Sequence, residues 1–153
     1  MAAVNEIIVK ASELLNREEY KKALMILESA LPEHSGCQEE SISVYSNREI
    51  ALLLARAYYH NQLYEEAAVV IEKLEQQERN ITGEKDFIFL KYQILLIRDN
   101  PQKAIDFLSS LESESFDEEI DFFIRYCLGK AYFWKGNYHS ANICFRECRE
   151  YYD

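Results

Sequence analysis

Two prolines and four glycines are all that this 153-residue chain has to interrupt regular backbone. Helices tolerate few of either, because proline removes a backbone donor and glycine adds chain entropy. No run of Lys and Arg occurs. The 27 acidic residues outnumber the 17 basic ones and leave a formal charge of −10. That field repels a phosphate backbone and argues against a nucleic-acid partner. No segment approaches the roughly 20 consecutive apolar residues of a membrane span. The opening MAAVNEIIVKASELL lacks the basic start and long apolar core of a secretory signal. A cytoplasmic or nuclear location without a membrane partner is therefore expected. Cys37, Cys127, Cys144 and Cys148 are then free thiols, and the triplet Asn80-Ile81-Thr82 carries no glycan.

The residue sets of catalysis are missing too. His34, His60 and His139 have no partners arranged for nucleophilic chemistry, and no glycine loop is built to cradle phosphate. Paired Cys-x-x-Cys knuckles are absent. Cys144 and Cys148 stand four apart on one helix face, with Cys127 and His139 as possible neighbours. That grouping leaves a remote alternative of a thiol or metal protein using Cys127, Cys144 and Cys148. Glu65-Glu66 and Asp117-Glu118-Glu119 read as solvated helix faces and helix starts. The chain is expected to be no enzyme, with no cofactor, no metal and no small-molecule substrate.

What the chain does contain is a repeat. Four stretches, EYKKALMILESAL, LYEEAAVVIEKLE, NPQKAIDFLSSLE and NYHSANICFRECR, share an alanine at Ala23, Ala67, Ala104 and Ala141. An aromatic residue or proline precedes each alanine by three, and a large apolar residue follows by four. Self-similarity at a period of roughly 20–50 residues marks a repeat architecture. The hydrophobic share of 48% is enough to give such an array a continuous core rather than a disordered chain.

Apolar residues recur at helical spacing throughout, and no stretch alternates at period two over useful length. Ile7, Ile8, Ala11, Leu14 and Leu15 make one stripe. After a turn at Asn16–Glu19, Ala23, Leu24, Leu27, Ala30 and Leu31 make the next, which Pro32 stops. Residues 32–43 read as a polar linker. Ser46 and Glu49 have capping-box spacing, as do Ser115 and Glu118. Asn100-Pro101 is an N-cap followed by proline at the first helical position, and Gly136-Asn137 ends the long helix before it. The expected units are hairpins over about 4–35, 44–79, 84–113 and 116–153.

The stretch LGKAYFWKGNYHSANICF, with Leu128, Gly129, Tyr132, Gly136, Tyr138, Ala141 and Phe145, resembles the tetratricopeptide repeat. Leu54, Ala55, Tyr58, Tyr64, Ala67 and Ile71 carry the same pattern. So do Ala11, Leu14, Tyr20, Ala23, Leu27, Ala30 and Pro32. The third hairpin keeps Leu95, Ala104, Leu108 and Leu111 but has bulky Tyr92 where Gly or Ala is usual. The alanines lie 44, 37 and 37 residues apart, against a family unit of about 34. The resemblance implies an all-α, right-handed α-solenoid of about four hairpins, forming a single array over 1–153. An N-terminal part of a longer protein is the expectation.

In this family the first helix of each hairpin lines a concave groove. The resemblance places Ile8, Leu52, Phe89 and Tyr126 in one groove row, and Ser12, Arg56, Gln93 and Lys130 in the next. Leu15, Tyr59, Leu96 and Phe133 form a third, and Asn16, His60, Ile97 and Trp134 a fourth. Such a groove is apolar and aromatic with Arg56 and Lys130 as its cations, suited to a peptide or helix of a partner protein. Arg56, Tyr59, Lys130, Phe133 and Trp134 are the foremost candidates. A clamp for acidic C-termini is not implied, because its places hold Ile8, Ser12, Leu53, Asp86 and Leu90. The order of opening hairpin, linker and tightly spaced repeats is also similar to N-terminal repeat segments of anaphase-promoting-complex-type scaffold subunits. That likeness implies homodimerisation within a large assembly as the alternative.

Overall fold

A computed structural model describes residues 2–30, 48–77, 81, 84–98, 100–112, 114 and 116–152, with backbone alone at 2, 3, 151 and 152. Cys37, His34, Pro32, Ser46, Ser115 and the 32–43 linker lie outside the described residues. Eight helices are described: α1 Ala2–Asn16, α2 Tyr20–Ser29, α3 Arg48–His60, α4 Tyr64–Gln77, α5 Lys85–Arg98, α6 Pro101–Leu111, α7 Glu118–Lys135 and α8 Tyr138–Tyr152. No described residue is in a strand. The protein is all-α.

The helices form two compact units, Met1–Arg79 and Asn80–Asp153. In the first, α1 packs on α2 and α3 on α4, and α3 also packs on both α1 and α2. In the second, α5 packs on α6 and α7 on α8, and α7 also packs on both α5 and α6. Each unit is thus one hairpin stacked on another.

The repeated alanine explains the pairing. Ala23, Ala67, Ala104 and Ala141 are all buried, as are their facing small residues Ala11, Ala55 and Gly129. With side chains this small, the two helices of a hairpin approach until larger residues interlock around them. Leu27, Leu54, Leu74 and Leu108 are fully enclosed by this, each worth about 1.5–3 kcal/mol of burial. The second unit gathers Ile88, Tyr92, Ala104, Ile105, Leu108, Leu111, Ile124, Cys127, Leu128 and Ala131 into one cluster. Bulky Tyr92 is fully buried there. Among the described residues no buried side-chain nitrogen or oxygen lacks a partner, so the core carries no polar penalty of that kind.

Three of the hairpins turn in the same way. Glu18, Gln62 and Gly136 have φ of 63°, 64° and 89°, the left-handed region. The next residue's N–H reaches back to the helix: Glu19 to Leu14, Leu63 to Tyr58 and Asn137 to Tyr132, each at 2.9 Å. A second N–H, from the left-handed residue itself, bonds Leu15, Tyr59 or Phe133 at 3.0–3.1 Å. This pair of bonds is the Schellman motif, which satisfies the last carbonyls of the first helix. Four residues after each Schellman closure the alanine N–H bonds the carbonyl of Glu19, Leu63 or Asn137, fixing where the second helix begins. The α5–α6 connection is built differently. Asn100 Oδ1 accepts from Lys103 N at 3.0 Å, and Pro101 opens α6. One capping assignment shifts: the N-cap of α7 is Asp117, whose carboxylate accepts from Ile120 N at 2.9 Å. It sits two positions past Ser115 and directly before the first helical turn, where its charge also meets the helix dipole.

Candidate functional site

In the first unit the side chains singled out by the groove rows lie on α1 and α3. Ile8, Leu52, Arg56 and Tyr59 are half-buried and His60 is exposed. His60 is already engaged: its ring stacks on Tyr20 with centroids 4.3 Å apart and planes 8° apart. Tyr59 meets His60 edge-on at 5.3 Å and Tyr64 at 5.7 Å. A continuous aromatic chain, Tyr20–His60–Tyr59–Tyr64, therefore joins the two hairpins at their turns. Beside it Asn61 donates its Nδ2 to the carbonyl of Tyr20 at 3.0 Å and to that of Ala57 at 2.7 Å.

This environment moves the titrating groups. Burial, with Arg56 nearby, lowers the His60 imidazole below its ordinary value against an opposing pull from Glu18. Burial raises the Tyr59 phenol, and Tyr64 adds to the rise. His60 is thereby held as a neutral ring near neutrality, suited to stacking. Around the two turns lies an open crease of about 560 Å³ lined by Glu18, Glu19, Tyr20, Lys21, Lys22, His60, Asn61 and Gln62. Lys22 pairs with Glu19 inside it.

In the second unit the singled-out residues lie on α5 and α7. Phe89, Tyr126, Phe133 and Trp134 are exposed, Trp134 at 69%, while Gln93 and Lys130 are half-buried. The Lys130 ammonium stands 5.4 Å from the Tyr126 ring centroid, a cation–π geometry. Phe89 leans on Phe123 of α7 at 5.9 Å. Phe133 meets Tyr138 edge-on at 5.4 Å and 65°, the counterpart of the Tyr59–Tyr64 contact in the other unit. Lys135 reaches Gln102, and Arg125 pairs with Glu147.

One groove row is corrected. Leu15, aligned with Tyr59, Leu96 and Phe133, is 1% exposed and so lines no groove. It belongs to α1, on which α3 packs. Tyr20, Asn61 and Tyr138 escape the groove rows because two of them start second helices and the third sits in a turn. For Tyr20 and Tyr138 the signal was nevertheless present, in the tyrosine three residues before the alanine; Asn61 carried none.

The thiols are packing groups in this arrangement. Cys127 and Cys148 are buried and Cys144 is half-buried. Burial pushes the Cys127 thiol up to about 12 and raises those of Cys144 and Cys148. A thiol so shifted is a poor nucleophile and a poor ligand at neutral pH. Among the described residues no three His, Cys, Asp or Glu side chains are grouped to hold a metal. Nor is any described helix long and apolar enough to cross a membrane.

The family model described as the tetratricopeptide repeat protein 21 ARM repeat matches residues 5–117. No curated protein and no solved structure matches the chain.

Proposed function

Because the chain belongs to the tetratricopeptide repeat protein 21 ARM-repeat family, we propose that it is a non-catalytic protein-interaction scaffold holding a peptide or helix of a partner protein. Each unit is taken by itself: Arg56 and Tyr59 on α3 are proposed as the binding side chains of the first, and Lys130, Phe133 and Trp134 on α7 as those of the second. Stacked helical hairpins offer extended surface rather than enclosed, water-free cavities. The observation that carries the reading is the exposed aromatic set on α7: Trp134, Phe133 and Tyr126, with Lys130 over the Tyr126 ring. Trp, Tyr and Arg dominate binding energy in protein interfaces, and a solvated acidic chain gains nothing in solubility by exposing such rings.

Quantitative capture from lysate tests it, comparing the wild-type chain with Tyr59→Ala, Lys130→Ala and Trp134→Ala combined. Specific partners are expected to fall away in the triple variant while its helical signal and unfolding midpoint stay near wild type. Unchanged capture by the folded triple variant overturns the assignment of the surface.

A further inference from the structure

The acidic residues of this chain are not spread evenly. None falls between Asp121 and Glu147, a stretch of 25 residues (122–146) that holds Arg125, Lys130, Lys135, His139 and Arg146. Each of the other hairpins has acid at or directly after its connection: Glu18-Glu19, Glu65-Glu66 and Asp99. The α7–α8 connection has none, and residues 133–139 are all exposed.

Folding of the second unit concentrates this difference. Lys135 reaches Gln102, so the end of α7 adjoins the start of α6. Arg98 at the end of α5 and Lys103 on α6 come with it, both exposed. Asp106, which accepts from Gln102 at 2.7 Å, is the described acid on this side. The opposite ends of the same helices carry Asp86, Glu112, Glu118, Glu119 and Asp121. Asp121, the last acid of α7, stands 14 residues (135−121) before Lys135 and thus about 21 Å along the helix. That exceeds two screening lengths of about 8 Å at physiological salt. Glu147 on α8 is paired with Arg125. A partner at this turn end therefore meets local positive charge in spite of the chain's net −10.

Exposed rings stand among these cations: Trp134 at 69%, Tyr138 at 64% and Phe133 at 56%. Tyr126, Lys130, Phe133 and Trp134 follow one another at i, i+4, i+7 and i+8, along one side of α7. A track of that kind, about 12 Å long, suits a chain laid along the helix better than a flat membrane, which meets the turn alone. Of the cations Arg98, Lys103, Lys130 and Lys135, three are lysines, compact point charges without the planar fork that matches a phosphate. Carboxylates suit them.

We propose that the second unit holds a linear segment of a partner protein in which acidic residues stand beside an aromatic or large aliphatic anchor. The acidic part seats over Lys103, Lys130 and Lys135 at the turn end, and the anchor enters among Phe133, Trp134 and Tyr138. The inference rests on the reading of Lys130, Phe133 and Trp134 as binding side chains. It adds the partner's charge, and it adds Lys103, Lys135 and Tyr138, which no groove row contains. The anions are side-chain carboxylates, so the segment needs no free C-terminus.

Random linear peptides displayed on phage and fused through their C-termini are the probe, selected on the 153-residue protein. Those enriched are synthesised with amidated C-termini and titrated by the emission of Trp134, the chain's one tryptophan. Enrichment of Asp and Glu beside Phe, Trp or Leu is expected, with a blue shift of Trp134 on binding. Lys103→Glu with Lys135→Glu should weaken binding at least tenfold, and lysines in place of the peptide's acids should restore it in that variant. If the glutamate variant loses helix signal, Lys103→Gln with Lys135→Gln replaces it, with a loss of at least threefold expected. Enriched peptides that need Trp134 but are not acidic, or acidic ones indifferent to the lysine changes, overturn the proposal and leave the groove reading standing. Failure to enrich any peptide sensitive to Trp134→Ala overturns both. A Trp134 shift on vesicles of phosphatidylserine and phosphatidylcholine, where no acidic peptide binds, makes an anionic membrane the occupant and overturns the protein segment.

Discussion

The ring of Phe145 occupies the space that a side chain at Gly129 would need: a Cβ built there lies 2.6 Å from Cε1 and 2.9 Å from Cδ1. The first and second hairpins strike the opposite balance at these positions. Buried Ala55 stands where Gly129 does and Ile71 where Phe145 does, and Ala11 corresponds likewise with Leu27. A methyl gained on one helix is matched by bulk lost on the other.

Gly129→Ala should therefore destabilise the second unit despite alanine's better helix propensity. Propensity alone favours alanine by about 1 kcal/mol, whereas overpacking a filled site costs typically about 1–3 kcal/mol. A net loss of about 1 kcal/mol is expected in urea unfolding. In the double variant Gly129→Ala/Phe145→Leu the ring is gone, and a favourable coupling of about 1 kcal/mol should appear in the mutant cycle. Additive effects would show that the two residues do not compete for the same space.

Gly136 tests a different cost. No atom lies within 4 Å of a Cβ built on it, yet its φ is 89°. Gly136→Ala meets no clash and should lose about 1 kcal/mol from left-handed backbone alone. Gln62 already bears that strain at φ 64°, so Gln62→Gly should gain about 0.5 kcal/mol after the entropy it adds to the unfolded chain. Chemical denaturation of the two variants gives the opposite signs directly.

These turns also show where the sequence was readable. Gly136-Asn137 announced its helix end because glycine is the residue for left-handed backbone. The same turn at Glu18 and Gln62 carries no such mark, and only the shared hydrogen bonds reveal it. The alanine row was legible since small residues at fixed spacing have one physical use, close helix approach. Its register gave the helix pairing, the all-α fold and the buried Cys148 beside Ala30 in the same row. Exposure was not legible. Leu15 and Phe133 share a register position and both are large and apolar, yet one is buried and the other open. The difference lies in which helix packs above them, a tertiary fact that no local pattern encodes. The Tyr20–His60 stack was hidden likewise, joining residues 40 apart on elements whose contact depends on the whole stack.

His60 gives the first unit a pH dependence of predictable sign. Its imidazole is lowered from 6.5 in the folded protein, so below 6.5 the unfolded chain binds the proton more readily. Stability should rise as pH increases through the window between the lowered value and 6.5, and level off above it. His60→Phe keeps a ring against Tyr20 without titrating. Urea midpoints at pH 5.5 and 7.5 should differ less in that variant than in wild type, the carboxylates being common to both. An equal difference would show that His60 does not titrate to the protein's cost.

The thiols should react in order of burial. At pH 8 a thiol raised to about 12 is thiolate in only about one molecule in ten thousand, and Cys127 is enclosed besides. A disulfide reagent added to native protein should label half-buried Cys144 ahead of Cys148, and Cys127 should respond only as the protein unfolds. Mass spectrometry of peptides across a urea series reads this order. Cys148 has a second restraint, since its Sγ contacts the carbonyl of Phe122 at 3.8 Å across the α7–α8 packing. Replacing it by alanine, the residue at the equivalent Ala30, should cost about 1 kcal/mol for the lost atom and leave the labelling of Cys127 unchanged. Rapid native labelling of Cys127 would mean that the second unit opens locally far more often than a closed core allows, and the packing role of the three thiols would have to be abandoned.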